Sequence, residues 1–110
     1  MDPLPRRVEI GAGHPAFVGH FPGRPVLPGV ALLAEVLEAV ALDPNLTAAV
    51  GAAPQFGVVK FSAPVLPGAT LEISFQPGER SVGFSVASDN GQVAASGQIV
   101  RVDRGAGAAS

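Results

Sequence analysis

The fold is decided by one stretch, His14-Pro-Ala-Phe-Val-Gly-His-Phe-Pro-Gly-Arg-Pro-Val-Leu-Pro-Gly-Val30, which runs directly into Ala31-Leu-Leu-Ala-Glu-Val-Leu-Glu-Ala-Val-Ala-Leu42. Residues 14–29 contain four prolines and three glycines, which neither a helix nor a central strand tolerates. The Ala, Leu and Glu residues that follow are strong helix formers. We therefore predict a stiff, ordered loop and then a helix over residues 29–42, which ends at Asp43-Pro44 because the residue before a proline avoids the α region.

The predicted helix is apolar nearly all round. Its polar side chains are Glu35 and Glu38, three residues apart on one stripe. A helix of this kind is buried by something that wraps it. We expect the rest of the chain to supply that cover.

Alternating apolar residues after the helix predict strands. Leu71, Ile73 and Phe75 share one face, and Val82, Phe84 and Val86 repeat the pattern. Further strand-like segments are residues 7–10, 56–63 and 92–102, and Asn90-Gly91 carries the signal of a tight type I′ hairpin. We predict an α+β architecture in which a meander of four antiparallel strands surrounds one long buried helix.

Length and composition indicate one small domain. The chain has 110 residues, 47% of them hydrophobic, which is too short for two ordinary cores. We place that domain at residues 1–104 and expect the small residues 105–110 to form a flexible tail.

Composition also excludes several classes of function. There is no cysteine and there are only two histidines, so we expect no metal site. The glycine-rich residues 19–29 lack the Gly-Lys-Ser/Thr of a phosphate loop, so nucleotide binding is not indicated and we expect no cofactor. A net charge of −2 with a single lysine supplies no basic stripe for nucleic acid. The segment Met1 to Glu9 is not followed by an apolar signal region, and residues 30–42 are too short to span a bilayer. We expect a cytoplasmic protein that does not enter a membrane.

His14 and His20 are the side chains suited to moving protons near neutral pH, and both lie in the loop before the helix. A structural role in the loop remains open for each of them. No Gly-x-Ser-x-Gly motif accompanies them, so a serine nucleophile is not indicated.

The loop closely resembles the signature of the 3-hydroxyacyl-acyl-carrier-protein dehydratases of the FabA/FabZ type. The motif Gly19-His-Phe-Pro-Gly-Arg-Pro-Val-Leu-Pro-Gly29 carries the resemblance, and Val59-Lys-Phe-Ser-Ala-Pro-Val-Leu-Pro-Gly68 is similar to the strand region of the same family. The similarity spans roughly residues 8–102. It implies a hot-dog fold that dimerises as a double hot-dog, with a sheet as the bun and the helix as the sausage.

The resemblance also implies a set of site residues. It places the catalytic base at His20 and leaves His14 a structural role. The amide of Gly29, at the start of the helix, would polarise the thioester carbonyl. Substrate contacts are expected from the motif and the first turns of the helix, at Phe21, Pro22, Gly23, Pro28, Val30 and Ala34.

The acid of the family is the part that this chain lacks. In the family an Asp or Glu follows the catalytic histidine by fourteen residues, and that position is Ala34 here. Glu35 is the next residue, about 100° around the helix, and Glu38 lies one turn further on the side of Ala34. Either one is a candidate for the acid, or both form a solvent or interface stripe.

Three functions follow from the resemblance. The first is a lyase that dehydrates or hydrates a 3-hydroxyacyl thioester on acyl carrier protein or coenzyme A in acyl-chain biosynthesis, weakened by Ala34. The second is a non-catalytic subunit that binds acyl-pantetheine or pairs with an active paralogue. The third is a hot-dog thioesterase. We expect a homodimer, or a heterodimer with a paralogue that supplies the missing acid.

Overall fold

The computed structural model describes residues 4–11 and 27–101. Within them the chain forms one antiparallel five-stranded sheet with strand order β1-β3-β4-β5-β2. The elements in chain order are β1 (Arg6–Glu9), α1 (Gly29–Ala41), α2 (Pro44–Val50), β2 (Gln55–Phe61), β3 (Thr70–Pro77), β4 (Ser81–Ser88) and β5 (Val93–Val100). The expected tail at residues 105–110 lies outside the described residues.

The core lies between one face of the sheet and α1. The residues that alternate along β3 and β4 are all buried, as the sequence predicts: Leu71, Ile73, Phe75, Val82, Phe84 and Val86. They belong to one hydrophobic cluster with Leu32, Val36, Ala39 and Val40 of the helix. These four helical positions follow the i, i+4, i+7, i+8 spacing that defines one face of a helix.

The opposite face of α1 is exposed, so the expectation of a helix wrapped on all sides is wrong for this chain by itself. Val30, Ala34, Leu37 and Ala41 lie along that face, and all four are exposed. Val30 keeps 79% of its surface accessible. The reason is geometric: a single five-stranded sheet covers one side of a helix and leaves the other side accessible.

The prediction of a four-strand meander is also wrong for one strand, β2. Strands β3, β4 and β5 do form a meander, but β2 pairs with β5 at the far edge of the sheet and not with its successor β3. The loop over residues 62–69 carries the chain from that edge to β3, which lies beside the opposite edge strand β1. It is fixed on the way, because the Val65 carbonyl accepts a hydrogen bond from Leu27 N–H at 2.8 Å and Gly68 N–H donates to the Ile10 carbonyl at 2.6 Å.

The short helix α2 follows α1 where the sequence predicts only a stop. The Asp43 carboxylate accepts hydrogen bonds from the Asn45 and Leu46 amides at 2.9 and 3.2 Å, which caps the new helix. Pro44 occupies the first helical position, where its missing N–H costs nothing. Leu46 and Val50 are buried, so α2 extends the core beyond the end of α1.

The hairpin between β4 and β5 lies where Asn90-Gly91 predicts it, but its turn differs from the expected type I′. Gly91 N–H donates to the Ser88 carbonyl at 2.8 Å, so the turn spans residues 88–91. Gly91, the last residue of that turn, has a φ of 85° and is the left-handed residue. This is the longer hairpin loop, in which a turn is followed by a left-handed residue.

Candidate active site

Among the residues that the structure describes, no side chain caps the amino-terminal end of α1. The helix begins at Gly29 after Pro28, whose side chain makes no capping hydrogen bond, and its first turn contains no acidic residue. The Pro28 carbonyl accepts from the amides of Ala31 and Leu32 at 3.0 and 3.1 Å. The amides of a first helical turn carry partial positive charge and favour an oxygen that develops negative charge. This end of the helix is therefore suited to polarising a carbonyl.

An apolar cavity of ≈ 550 Å³ lies beside that helix end. Gly29 and Leu32 of α1 line it on one side, and Phe61 and Val65 line it from the end of β2 and the loop that follows. Its described lining includes no charged side chain, which suits an acyl chain better than a polar metabolite.

Phe61 is in close contact with the start of the helix, a role that the sequence alone did not indicate. Its ring atoms Cζ and Cε1 lie 2.9 and 3.1 Å from the point where a Cβ on Gly29 would stand. No larger residue fits at position 29 without moving the ring. A side chain at position 29 would thus displace the Phe61 ring, which is 52% exposed.

The two carboxylates of α1 differ in their placement. Ala34 and Glu38 are both exposed and lie one turn apart on the same face, whereas Glu35 is half-buried on the flank. An α-helix rises 1.5 Å per residue, so the Cα of Glu38 lies about 6 Å further from Gly29 than that of Ala34. The structure thus puts Glu38 on the same exposed face as Ala34 and Glu35 on the flank of the helix.

The remaining predicted site residues divide into two groups. Pro28 is half-buried and Val30 is exposed, and both lie at the start of α1 beside Gly29. His14, His20, Phe21, Pro22 and Gly23 lie outside the described residues, so their roles stay predictions.

A second cavity, of ≈ 590 Å³, lies on the outer face of the sheet. It is lined by small polar side chains that include Ser74, Ser85 and Ser96, which are direct cross-strand neighbours. The buried residues that alternate with these serines face α1, so this cavity is on the opposite side of the sheet from Gly29. It does not belong to the candidate site.

No helix in the described part of the chain is long and apolar enough to span a bilayer.

The comparisons with known proteins agree on a single family. The family model described as ApeI dehydratase matches residues 4–98. The dehydratase of the ApeI:P heterocomplex from Xenorhabdus doucetiae has a similar structure, with a TM-score of 0.73 at 30% identity over 87% of this chain and 83% of that one.

Curated relatives give the same result. The 3-hydroxyacyl-[acyl-carrier-protein] dehydratase FabZ of Thermomicrobium roseum is 36% identical over 100 residues, which is 84% of this chain and 67% of the relative. FabZ of Haemophilus influenzae is 32% identical over 101 residues, or 84% and 68% of the two chains. The hot-dog architecture implied by the loop motif is confirmed, and the chain belongs to the ApeI-like dehydratase family.

Proposed function

We propose that the protein dehydrates, and in reverse hydrates, a 3-hydroxyacyl thioester carried on acyl carrier protein or coenzyme A. The observation that carries the proposal is the uncapped start of α1 at Gly29, which forms one wall of an apolar cavity. The relatives named as 3-hydroxyacyl-acyl-carrier-protein dehydratases support the same chemistry.

The reaction assigns one task to each group. The His20 imidazole takes a proton from C2 of the acyl chain while the Gly29 N–H donates a hydrogen bond to the thioester oxygen, on which negative charge develops. The C3–O bond then breaks, and the hydroxyl leaves as water once an acid has protonated it. The product is a 2-enoyl thioester. This chemistry requires no metal and no redox cofactor.

The acid comes from a partner chain in this proposal. Ala34 offers no proton at the position where the family carries an Asp or Glu, and it lies exposed on the apolar face of α1 that a second subunit would cover. A heterodimer with a paralogue that carries the carboxylate would complete one site, whereas a homodimer would lack the acid in both. The similar structure from Xenorhabdus doucetiae belongs to a dehydratase heterocomplex, which supports assembly with a different subunit.

Glu38 is the internal alternative. Helical side chains lean toward the amino terminus and cover the turn before their own Cα, so the Glu38 carboxylate extends toward Ala34. The small methyl group of Ala34 leaves room for it. In this second reading the protein is an active homodimer with its acid displaced by one turn.

A non-catalytic role follows if neither source of acid operates. The chain would then bind acyl-pantetheine, or stabilise an active paralogue, through the same cavity and helix face. The absence of an acid at Ala34 is the observation that favours this candidate.

Turnover of one set of variants separates these readings. We would measure dehydration of 3-hydroxyacyl thioesters by wild type, His20→Ala, His14→Ala, Ala34→Asp, Glu38→Gln and Glu35→Gln, so that each candidate base and acid is changed in turn. A missing base costs about 10²- to 10⁴-fold, so His20→Ala should lose activity while a folded His14→Ala keeps it. Equal losses in the two histidine variants contradict the assignment of the base.

The sign of the Ala34→Asp effect identifies the acid. If the acid is absent, this change raises the turnover of the homodimer by at least about tenfold, the low end of what a positioned acid supplies. If Glu38 serves, wild type is already active, Glu38→Gln abolishes turnover and Ala34→Asp slows it. Wild-type protein with no turnover, and no gain from Ala34→Asp or from a carboxylate-bearing partner, supports the non-catalytic role.

A further inference from the structure

We infer that Phe61 is a specificity-determining residue that excludes substituents on C2 of the acyl chain, the carbon next to the thioester carbonyl. The inference rests on the proposed function, in which the Gly29 amide contacts the thioester oxygen. Its structural basis is the contact between the Phe61 ring and Gly29.

A bulge in β2 directs Phe61 toward the helix. Phe56 pairs with Ile99 and Val59 with Gly97, so three steps along β2 match two along β5. The extra residue reverses the alternation of side chains, because the period of a strand is two. Phe61 therefore lies opposite the buried Ala95 and faces α1, and Lys60 faces the outer side of the sheet.

The ring has packed and open parts. Its tip lies against Gly29, where the Cζ atom leaves no space for even one added carbon on the backbone. Yet 52% of the Phe61 surface remains accessible, and part of it lines the cavity. A thioester whose oxygen accepts from the Gly29 amide would bring its first carbons next to this ring.

The position of the thioester oxygen then determines which atoms of the substrate contact the Phe61 ring. Atoms far along the acyl chain lie away from Gly29, whereas C1 and C2 must stay within a few bonds of the oxygen that it binds. An unbranched C2 carries hydrogens toward the ring. A methyl branch on C2 would need the volume that the ring occupies, and an apolar pocket discriminates against one misplaced methyl or methylene group by about 10- to 200-fold.

The test compares binding of two inert ligands, 3-hydroxybutyryl-pantetheine and 2-methyl-3-hydroxybutyryl-pantetheine with the thioester sulfur replaced by nitrogen. Calorimetry gives both dissociation constants for wild type, Phe61→Ala, Phe61→Leu and the control Val58→Ala. Val58 belongs to the same strand and is 88% exposed but does not line this cavity. Phe61→Leu keeps an apolar side chain at the edge strand, which guards against a folding defect in Phe61→Ala.

We expect wild type to bind the unbranched ligand at least about tenfold more tightly than the branched one. Phe61→Ala should reduce that ratio to near one, Phe61→Leu should give an intermediate ratio, and Val58→Ala should leave it unchanged. An unchanged ratio in folded Phe61→Ala, or a wild type that does not discriminate, overturns the inference. Absence of binding by wild type overturns it as well.

Turnover of the corresponding thioesters, measured in parallel with any required partner present, tests the proposed function separately. If wild type dehydrates the unbranched thioester but the Phe61 variants keep the wild-type binding ratio, only the specificity inference fails. If the binding ratio changes as expected but no thioester is dehydrated, the inference about Phe61 stands and the catalytic proposal fails.

Discussion

The two edge strands of the sheet are built differently. β1 has four residues, and three of them, Arg6, Arg7 and Glu9, are charged and exposed. β2 has seven residues, a bulge and one charge, Lys60, and it exposes Val58 almost fully. Short charged edges resist pairing with another sheet, whereas long apolar edges invite it.

The difference indicates which edge a second subunit would join. We expect the sheets of two subunits to meet at β2, the strand whose last residue also walls the cavity beside Gly29. Assembly and the site would then depend on the same strand. Changes that oppose pairing along β2 or push the strand out of place should affect association, stability and activity, and changes in β1 should affect none of them strongly.

We expect the largest loss of stability from a change at the contact between β2 and β5. A Cβ on Gly97 would stand 2.8 Å from the Val58 carbonyl oxygen and 3.1 Å from the Phe84 ring, so Gly97→Ala must push β2 away. Overpacking of this kind costs about 1–3 kcal/mol, and each kcal/mol lowers the Tm of a domain of this size by about 4–8 °C. Thermal unfolding and urea titration would measure the loss.

Gly83→Ala is the matched control for that change. Gly83 lies in the adjacent strand β4, and an added Cβ there would stand 3.7 Å from its nearest neighbour, an ordinary contact. Its free energy of unfolding should stay level or rise slightly, because alanine is less flexible than glycine in the unfolded chain. If both changes destabilise the protein equally, the close contact between β2 and Gly97 is not the cause of the loss.

We expect an effect of intermediate size, on association, from adding a charge to β2 so that this edge resembles the charged edge β1. Val58→Lys adds a second positive charge to a strand that already carries Lys60, which opposes pairing between two copies of the edge or with a partner sheet. We expect association to weaken by at least about tenfold, equivalent to about 1.4 kcal/mol, while the monomer stays folded. Light scattering over a concentration series would measure it. If Val58→Lys associates as tightly as wild type, the interface does not lie at β2.

The smallest effect is expected on β1. Arg7 lies opposite Glu72 in the β1–β3 pair, and both side chains are exposed. Exposed pairs of opposite charge contribute about 0–1 kcal/mol to stability. We therefore expect Arg7→Ala to lower the free energy of unfolding by less than about 1 kcal/mol and to leave association and turnover unchanged. A Tm loss comparable to that of Gly97→Ala, or a shift in oligomeric state, would contradict the contrast between the edges.

Local patterns predicted much of this fold. The helix at residues 29–41, the buried alternation of β3 and β4 and the hairpin at Asn90-Gly91 each depend on neighbouring residues, so the sequence reveals them. The crossover of β2 depends on which distant strand has a free edge, and no local pattern records that choice. The helix α2 was signalled by Asp43-Pro44, an N-cap followed by a proline at the first helical position, but the same pair also reads as a stop.

The site was predictable to the extent that it belongs to a motif. The predictions for Gly29 and Ala34 depend on the resemblance of the loop to the family signature, and the structure places both residues on α1 without testing their roles. Phe61 could not be assigned, because the bulge that directs its ring toward α1 is specified by tertiary pairing. Gly57 in the bulge was the one available signal, since an isolated glycine in a strand often marks such an irregularity.

The exposure of Ala34 on the outer side of α1 has an evolutionary consequence. Ala34 is exposed in the subunit, so we expect that exchanging it for a carboxylate leaves the fold almost unchanged. Every alanine codon is one base away from a codon for Asp or Glu. A lineage could thus gain or lose the acid in a single mutational step that is invisible to selection for folding, and two duplicated copies could divide the two halves of a site between them.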